Sequence, residues 1–101
     1  MPIAISVDRE PIADFCRRWK VKELAIFGSA LGRDFGPDSD VDVLVDMEED
    51  ALWSAFDWID MTEELKRIFG REVDLVEKSA IRNPFRRHNI LRRHEVVYAA
   101  R

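Results

Sequence analysis

Asp40-Val41-Asp42-Val43 sets two carboxylates at alternate positions of an apolar run. In an extended strand alternate side chains leave the same face, so Asp40 and Asp42 project together, about 7 Å apart at their α-carbons, while Val41 and Val43 turn to the core. Carboxylates held side by side against apolar residues repel each other. A hard divalent cation bound through oxygen, Mg²⁺ above all, relieves that repulsion. Asp74 stands in a second alternating segment, Glu72-Val73-Asp74-Leu75-Val76. If this strand neighbours the first and buries Val73 and Leu75, Asp74 joins the other two acids. Taken singly, each feature also fits a plainer role: a solvated strand edge for Asp40 and Asp42, a surface position on an edge strand for Asp74.

Gly28-Ser29 follows the apolar run Leu24-Ala25-Ile26-Phe27 directly. Glycine lets a backbone approach a phosphate closely. A serine opening a helical turn offers a hydroxyl and an N–H to phosphate oxygens. Alone, the pair is equally a tight turn between strands. Together with three acids on one sheet face it describes a two-ion site. Asp40 and Asp42 hold the ion that clamps a triphosphate. Asp42 and Asp74 share the ion that activates an acceptor hydroxyl, whose proton Asp74 can take. In-line attack on the α-phosphorus expels pyrophosphate, and catalysis is mainly positioning and charge neutralisation.

The elements that must hold these residues read as helix, strand, turn, strand, helix, strand, helix, strand. The first helix spans about Arg9 to Lys20, with Asp8 as its cap and Pro11 in its first turn. Ile12, Phe15, Cys16 and Trp19 share one face, which makes Cys16 a small core residue. Leu24–Phe27 is a buried strand. Gly28 to Asp38 carries turn chemistry, with one helical turn at Ser29 to Gly32. Asp40 to Asp46 is a strand of period two. A helix follows the Glu48-Glu49-Asp50 loop: Trp58, Met61, Leu65, Ile68 and Phe69 share a face, its start is blurred by Leu52, Ala55, Phe56 and Ile59, and Gly70 closes it. Glu72 to Val76 is the third strand. Asn83 caps a basic helix from Pro84 to about Arg93, and Val96-Val97-Tyr98 is a last short strand. The strand–helix–strand unit from Asp40 to Val76 favours a parallel pair. The fold class is α/β (α+β): a small mixed sheet flanked by helices, in one domain over residues 1–101.

Composition bounds the rest. With 101 residues, 47% hydrophobic and 36% charged, the chain reads as a soluble globular domain. One cysteine leaves no disulfide framework or Cys-rich zinc site and fits a reducing cytoplasm. Met1-Pro2-Ile3-Ala4-Ile5 carries no basic segment followed by an apolar run, so no signal peptide is expected, and no apolar run reaches membrane-spanning length. The net charge of −4 argues against generic nucleic-acid binding. Charge is segregated: Asp34 to Asp60 holds ten acids and no Lys or Arg, whereas Lys78 to Arg101 holds seven Lys or Arg and one acid, Glu95. These are two solvated faces, or an acidic metal site facing a basic strip (Arg86, Arg87, Arg92, Arg93) that meets a polyphosphate or an acidic partner. His88 and His94 read as surface or packing residues. Trp53, Phe56 and Trp58 read first as core packing and, if exposed, as a docking patch.

Gly28-Ser29, ten residues, then Asp40-x-Asp42 resembles the signature of the DNA polymerase β-like nucleotidyltransferase superfamily, with Asp74 matching its third carboxylate. The short length, the segment from Phe27 to Asp42, and the ending from Asn83-Pro84-Phe85-Arg86-Arg87 to Val97-Tyr98-Ala99 resemble the minimal nucleotidyltransferases. The resemblance covers nearly the whole chain. It implies that superfamily's catalytic core, Gly28 and Ser29 on the β/γ-phosphates with Arg33 and Ser39 also assigned to the nucleotide, and Mg²⁺ on Asp40, Asp42 and Asp74. Some members carry an arginine soon after Gly-Ser; this chain has Ala30, Leu31 and Gly32 before Arg33. The resemblance further implies ATP as substrate and, as partner, a HEPN-domain ribonuclease toxin whose tyrosine receives AMP. The chain lacks the extra domain with which larger relatives hold an acceptor, so a partner surface should supply the acceptor site. Two alternatives remain open at this point: an antitoxin that neutralises its partner by occlusion without chemistry, and transfer to a small alcohol. Base preference and homo- or hetero-oligomeric state are not readable from these residues.

Overall fold

The computed structural model describes residues 8–28, 40–92 and 94–100. Helix α1 spans Arg9–Trp19 and buries Ile12, Phe15 and Cys16, the face expected from their spacing. Asp8 precedes it in extended geometry, but its side chain makes no capping bond. The helix stops at Lys20, which takes the left-handed conformation at φ 59° and donates its N–H to the Cys16 carbonyl. Arg17 and Arg18 in the last turn complement the helix dipole.

Strand β1, Val21–Phe27, follows without a loop and starts three residues earlier than its apolar run suggests. Strand β2 is Val41–Met47. Helix α2, Ala55–Phe69, settles the blurred start: Ser54 Oγ accepts from the Asp57 N–H at 3.2 Å, and the Asp57 carboxylate accepts from the Ser54 N–H at 2.8 Å. This reciprocal box satisfies two N–H groups that the helix leaves without partners. Gly70 ends α2 at φ 68°. Strand β3 is Val73–Glu77, followed by a 3₁₀ turn at Lys78–Ala80. Helix α3 is Pro84–Arg92; Asn83 Oδ1 caps it, accepting from the Phe85 and Arg86 N–H groups. Strand β4, His94–Ala99, is longer than the three residues expected. Among the described residues, no helix is long and apolar enough to cross a membrane.

The strands form one mixed sheet in the order β3-β2-β1-β4. β2 and β3 are parallel, as the intervening helix requires, and β1 is antiparallel to both β2 and β4. One face carries the main core: Phe15, Ile12 and Cys16 from α1 and Met61 and Leu65 from α2 meet Leu24, Ile26, Val41, Val43, Val45, Val73 and Leu75. Fully burying a side chain such as Phe15 contributes about 1.5–3 kcal/mol. Arg18 on α1 and Glu64 on α2 bridge the helices at the rim, joined by the Trp19 indole N–H, 3.2 Å from Glu64 Oε1. On the other face, among the described residues, Ala25, Phe27 and Leu44 pack with Ile81 and with Ile90 of α3.

Candidate active site

Side-chain parity decides which face each acid takes. Val41, Val43 and Val45 are buried in the main core, so Asp42 points to the α3 side of the sheet. Val73 and Leu75 do the same on β3 and turn Asp74 to that side. The parallel register sets Asp42 directly opposite Asp74. Neighbouring strands lie about 4.8 Å apart, so the two carboxylates leave the sheet as lateral neighbours. Asp40 stands exposed one residue before β2, at the position whose parity matches Asp42, and the Val41 N–H anchors this entry by donating to the Glu72 carbonyl at 2.9 Å. Asp42 is half-buried and Asp74 exposed.

Gly28 closes the site from the β1 side. Phe27 is paired with Asp42 across β1 and β2, so Gly28 leaves the sheet level with that acid. Its φ is 74°, a conformation that suits glycine. A Cβ at Gly28 would run into the Asp42 carboxylate, 3.1 Å from its Cγ. The glycine is therefore required twice, by backbone conformation and by space. Ser29, Arg33 and Ser39, the other residues expected to contact nucleotide, lie outside the described residues. Among the described residues, no three His, Cys, Asp or Glu side chains form a ready-made metal cage. What the register supplies is two carboxylates across one strand pair and a third at the mouth of β2. This all-oxygen donor set, beside a backbone with no side chain in the way, suits a hard divalent cation and a phosphate.

The chain has known relatives. Residues 9–97 match the nucleotidyltransferase domain family. The protein adenylyltransferase MntA of Thermococcus cleftensis is 41% identical over 81 residues, 80% of this chain and 77% of that protein. MJ1379 of Methanocaldococcus jannaschii is 34% identical over 73 residues, 72% of this chain and 73% of the relative. The chain belongs to the nucleotidyltransferase domain family, among its minimal members.

It is thus an enzyme of the nucleotidyltransferase class. Its fold agrees. A chain of a toxin–antitoxin crystal structure with AMP-PNP superposes with a TM-score of 0.73 at 15% identity, covering 94% of this chain and 76% of that one. A chain of the tri-AMPylated Shewanella oneidensis HEPN toxin in complex with its MNT antitoxin superposes at 0.64 and 15%, covering 91% and 70%. At such identities the likeness concerns the fold alone.

His94, expected at the surface or in packing, is half-buried in this nucleotidyltransferase and lies in line with the acids. His94 pairs with Phe27, which pairs with Asp42, which pairs with Asp74. One row therefore crosses all four strands on the site's face, with His94 at its far end. The imidazole is half-buried, and its Nδ1 lies 2.6 Å from the Leu91 carbonyl; a carbonyl can only accept, so Nδ1 carries the proton. A bulge in β4 between the Leu24 and Ala25 pairings sets this register. Without it, Glu95 rather than His94 would face Phe27. No spacing rule could have revealed this, because it depends on one skipped residue in a neighbouring strand.

Helix α3 covers the same face. Ile90 is buried beneath it, while Arg86, Arg87, His88 and Arg92 are exposed. A hollow of about 510 Å³ runs along Pro84, Arg87, His88, Leu91 and Arg92. The basic strip and the acids thus share one side of the sheet, an arrangement suited to a polyphosphate bound between them. Cys16 takes no part: it is buried on the opposite face, and burial pushes its thiol up to about 12, too high for a nucleophile at neutral pH.

Proposed function

We propose that this chain transfers AMP from ATP to a hydroxyl of a partner protein, and that the partner is a HEPN-domain toxin for which the chain is the antitoxin. One observation carries the reading: Asp42 and Asp74 stand opposite each other on one sheet face, beside a glycine that has no room for a side chain. The likeness to the protein adenylyltransferase of Thermococcus cleftensis supports a protein as acceptor, and the fold shared with chains of toxin–antitoxin complexes is consistent with a toxin as that protein.

In this reading Asp40, Asp42 and Asp74 would hold two Mg²⁺ ions, which would supply charge neutralisation on the triphosphate and lower the pKa of the acceptor hydroxyl. Gly28 lets the backbone approach the phosphates, and Ser29, Arg33 and Ser39 complete the nucleotide contacts. The acceptor oxygen attacks the α-phosphorus in line, the bond from that phosphorus to the pyrophosphate oxygen breaks, and Asp74 takes the acceptor proton. The exposed arginines of α3 attract the triphosphate from the same side of the sheet.

The test is incorporation of labelled AMP from ATP into a HEPN-domain partner. It should require Mg²⁺ and should vanish in Asp42→Asn. Labelling that survives unchanged in that variant rejects the site. Silencing of the partner by a chain with Asp40, Asp42 and Asp74 all replaced would favour occlusion without chemistry, and turnover with a small alcohol would move the acceptor class.

A further inference from the structure

At the end of β2 away from Gly28, the fold leaves large apolar side chains outside both cores. Leu52 is 96% exposed, Phe56 79% and Ile59 56%. Phe56 and Ile59 are one turn apart on the outer side of α2, and the Ser54–Asp57 box holds that turn in place. Behind them Trp53 stacks on Trp58 at 4.8 Å between ring centroids, and Trp58 packs on the main core. The stripe is therefore a formed surface backed by the core. The expectation that Trp53, Phe56 and Trp58 pack together inside holds for Trp58 and fails for Phe56.

The surroundings define what fits. From Glu48 to Glu64 there are seven acids and no Lys or Arg; Asp50, Glu63 and Glu64 are paired with Lys20, Lys66 and Arg18, and Glu48, Glu49, Asp57 and Asp60 keep the surroundings of the stripe acidic. A hollow of about 610 Å³ beside the stripe joins Met47, Leu52 and Trp53 to Asp46, Glu48, Glu49 and Glu77, four acids against the single cation Arg82. A second copy meeting this patch symmetrically would set acids against acids. Docking of the patch onto the basic α3 of another copy would be head-to-tail and would build a ring or an open filament rather than a pair. Anionic membranes and nucleic acids are repelled by the same charges.

We infer that Leu52, Phe56 and Ile59 form a docking stripe for an amphipathic helix of a partner protein, one whose apolar residues recur at helical spacing and are flanked by Lys or Arg. The apolar residues cover the stripe and the cations meet the acidic rim, the usual division between affinity and orientation in helix-in-groove recognition. The stripe follows Met47, whereas the active-site acid Asp42 lies on the order of 17 Å back along β2, so docking here stands independently of the transfer chemistry.

The experiment is an NMR titration of the full chain with a synthetic helical peptide bearing Leu at i, i+3, i+4 and i+7 and Lys elsewhere, alongside a twin with Glu in place of Lys. The Lys peptide should shift the amides of residues 48–63, in a saturable and salt-weakened manner, and the Glu twin should not. Phe56→Ser with Ile59→Ser removes only exposed side chains and should weaken binding at least about tenfold. Asp42→Asn should bind the peptide as the natural chain does while losing transfer, which keeps this inference separate from the proposed reaction. Equal binding of the Glu twin, shifts confined to another surface, or undiminished binding by the double variant would overturn the proposal. So would peptide-free, concentration-dependent shifts at the stripe, which would assign it to a second copy.

Discussion

On one side of the sheet, α1 and α2 bury Phe15, Met61 and Leu65 completely among the strand valines. On the other, among the described residues, Ile90 of the short helix α3 and Ile81 cover Phe27, Leu44 and Ala25, and Asp40 and Asp74 are exposed. Among the described residues, fourteen buried residues make up the first cluster and five the second, so most of their apolar burial lies on the side that takes no part in the proposed chemistry. The division has a physical reason. Like charges gathered for a cation cost stability until they are neutralised. A domain can keep them only if another surface contributes enough apolar burial to hold the strands in register. Among the described residues, the face proposed to carry the chemistry is accordingly the one with less apolar burial.

Substitutions on the two faces should therefore separate stability from transfer. The largest loss of stability is expected from Phe15→Ala on the main-core face, about 4–5 kcal/mol, because the ring is wholly buried. Denaturant unfolding would show it, and molecules that remain folded should keep their transfer rate. Asp42→Asn on the α3 face should do the reverse: a fall in AMP transfer of about 10³-fold, equivalent to about 4 kcal/mol in the barrier, with little change in the unfolding midpoint. A large stability loss in Asp42→Asn would break the division. Ile90→Ala should cost less than Phe15→Ala, about 2–3 kcal/mol, because it sits in the smaller cluster. It should also loosen α3 and reduce transfer, which rate measurements below the unfolding temperature would detect.

Gly28→Ala should cost about 1–2 kcal/mol from its positive φ. Crowding of Asp42 should make its effect on transfer larger than its effect on stability. The smallest effect belongs to the main-core face's rim. The Arg18 guanidinium, with help from the Trp19 indole, holds the Glu64 carboxyl below its ordinary 4.5. A carboxyl depressed in the folded state stabilises fully above its unfolded pKa and loses that contribution as pH falls through the folded value. Glu64→Gln should therefore lower stability at neutral pH by at most about 1 kcal/mol, since the pair is partly exposed. The difference from the natural chain should shrink as the medium becomes more acid than about pH 4.5, which urea melts across that range would reveal.

Much of this was legible in the residues. The i, i+3, i+4 spacing of Ile12, Phe15 and Cys16 and the alternation around Val41 and Val73 are local patterns, and they located the buried faces correctly. The parallel pairing of β2 and β3 followed from the helix between them. The capping box at Ser54 escaped because the acid at its third position is Asp57 rather than the usual Glu or Gln. The exposure of Phe56 escaped because periodicity reports which residues share a face and not whether anything covers it.

The local order of polar and apolar residues thus determined that Asp40 and Asp42 turn from the core, that Asp74 does the same on its own strand, and that Gly28 ends β1. It could do so because strand parity depends only on neighbours in the chain. Only the tertiary structure decided that Asp42 faces Asp74, that a side chain at Gly28 would strike Asp42, and that a bulge in β4 brings His94 and not Glu95 into the same row. Those outcomes depend on register between strands distant in sequence, where a slip of one residue turns every side chain to the opposite face.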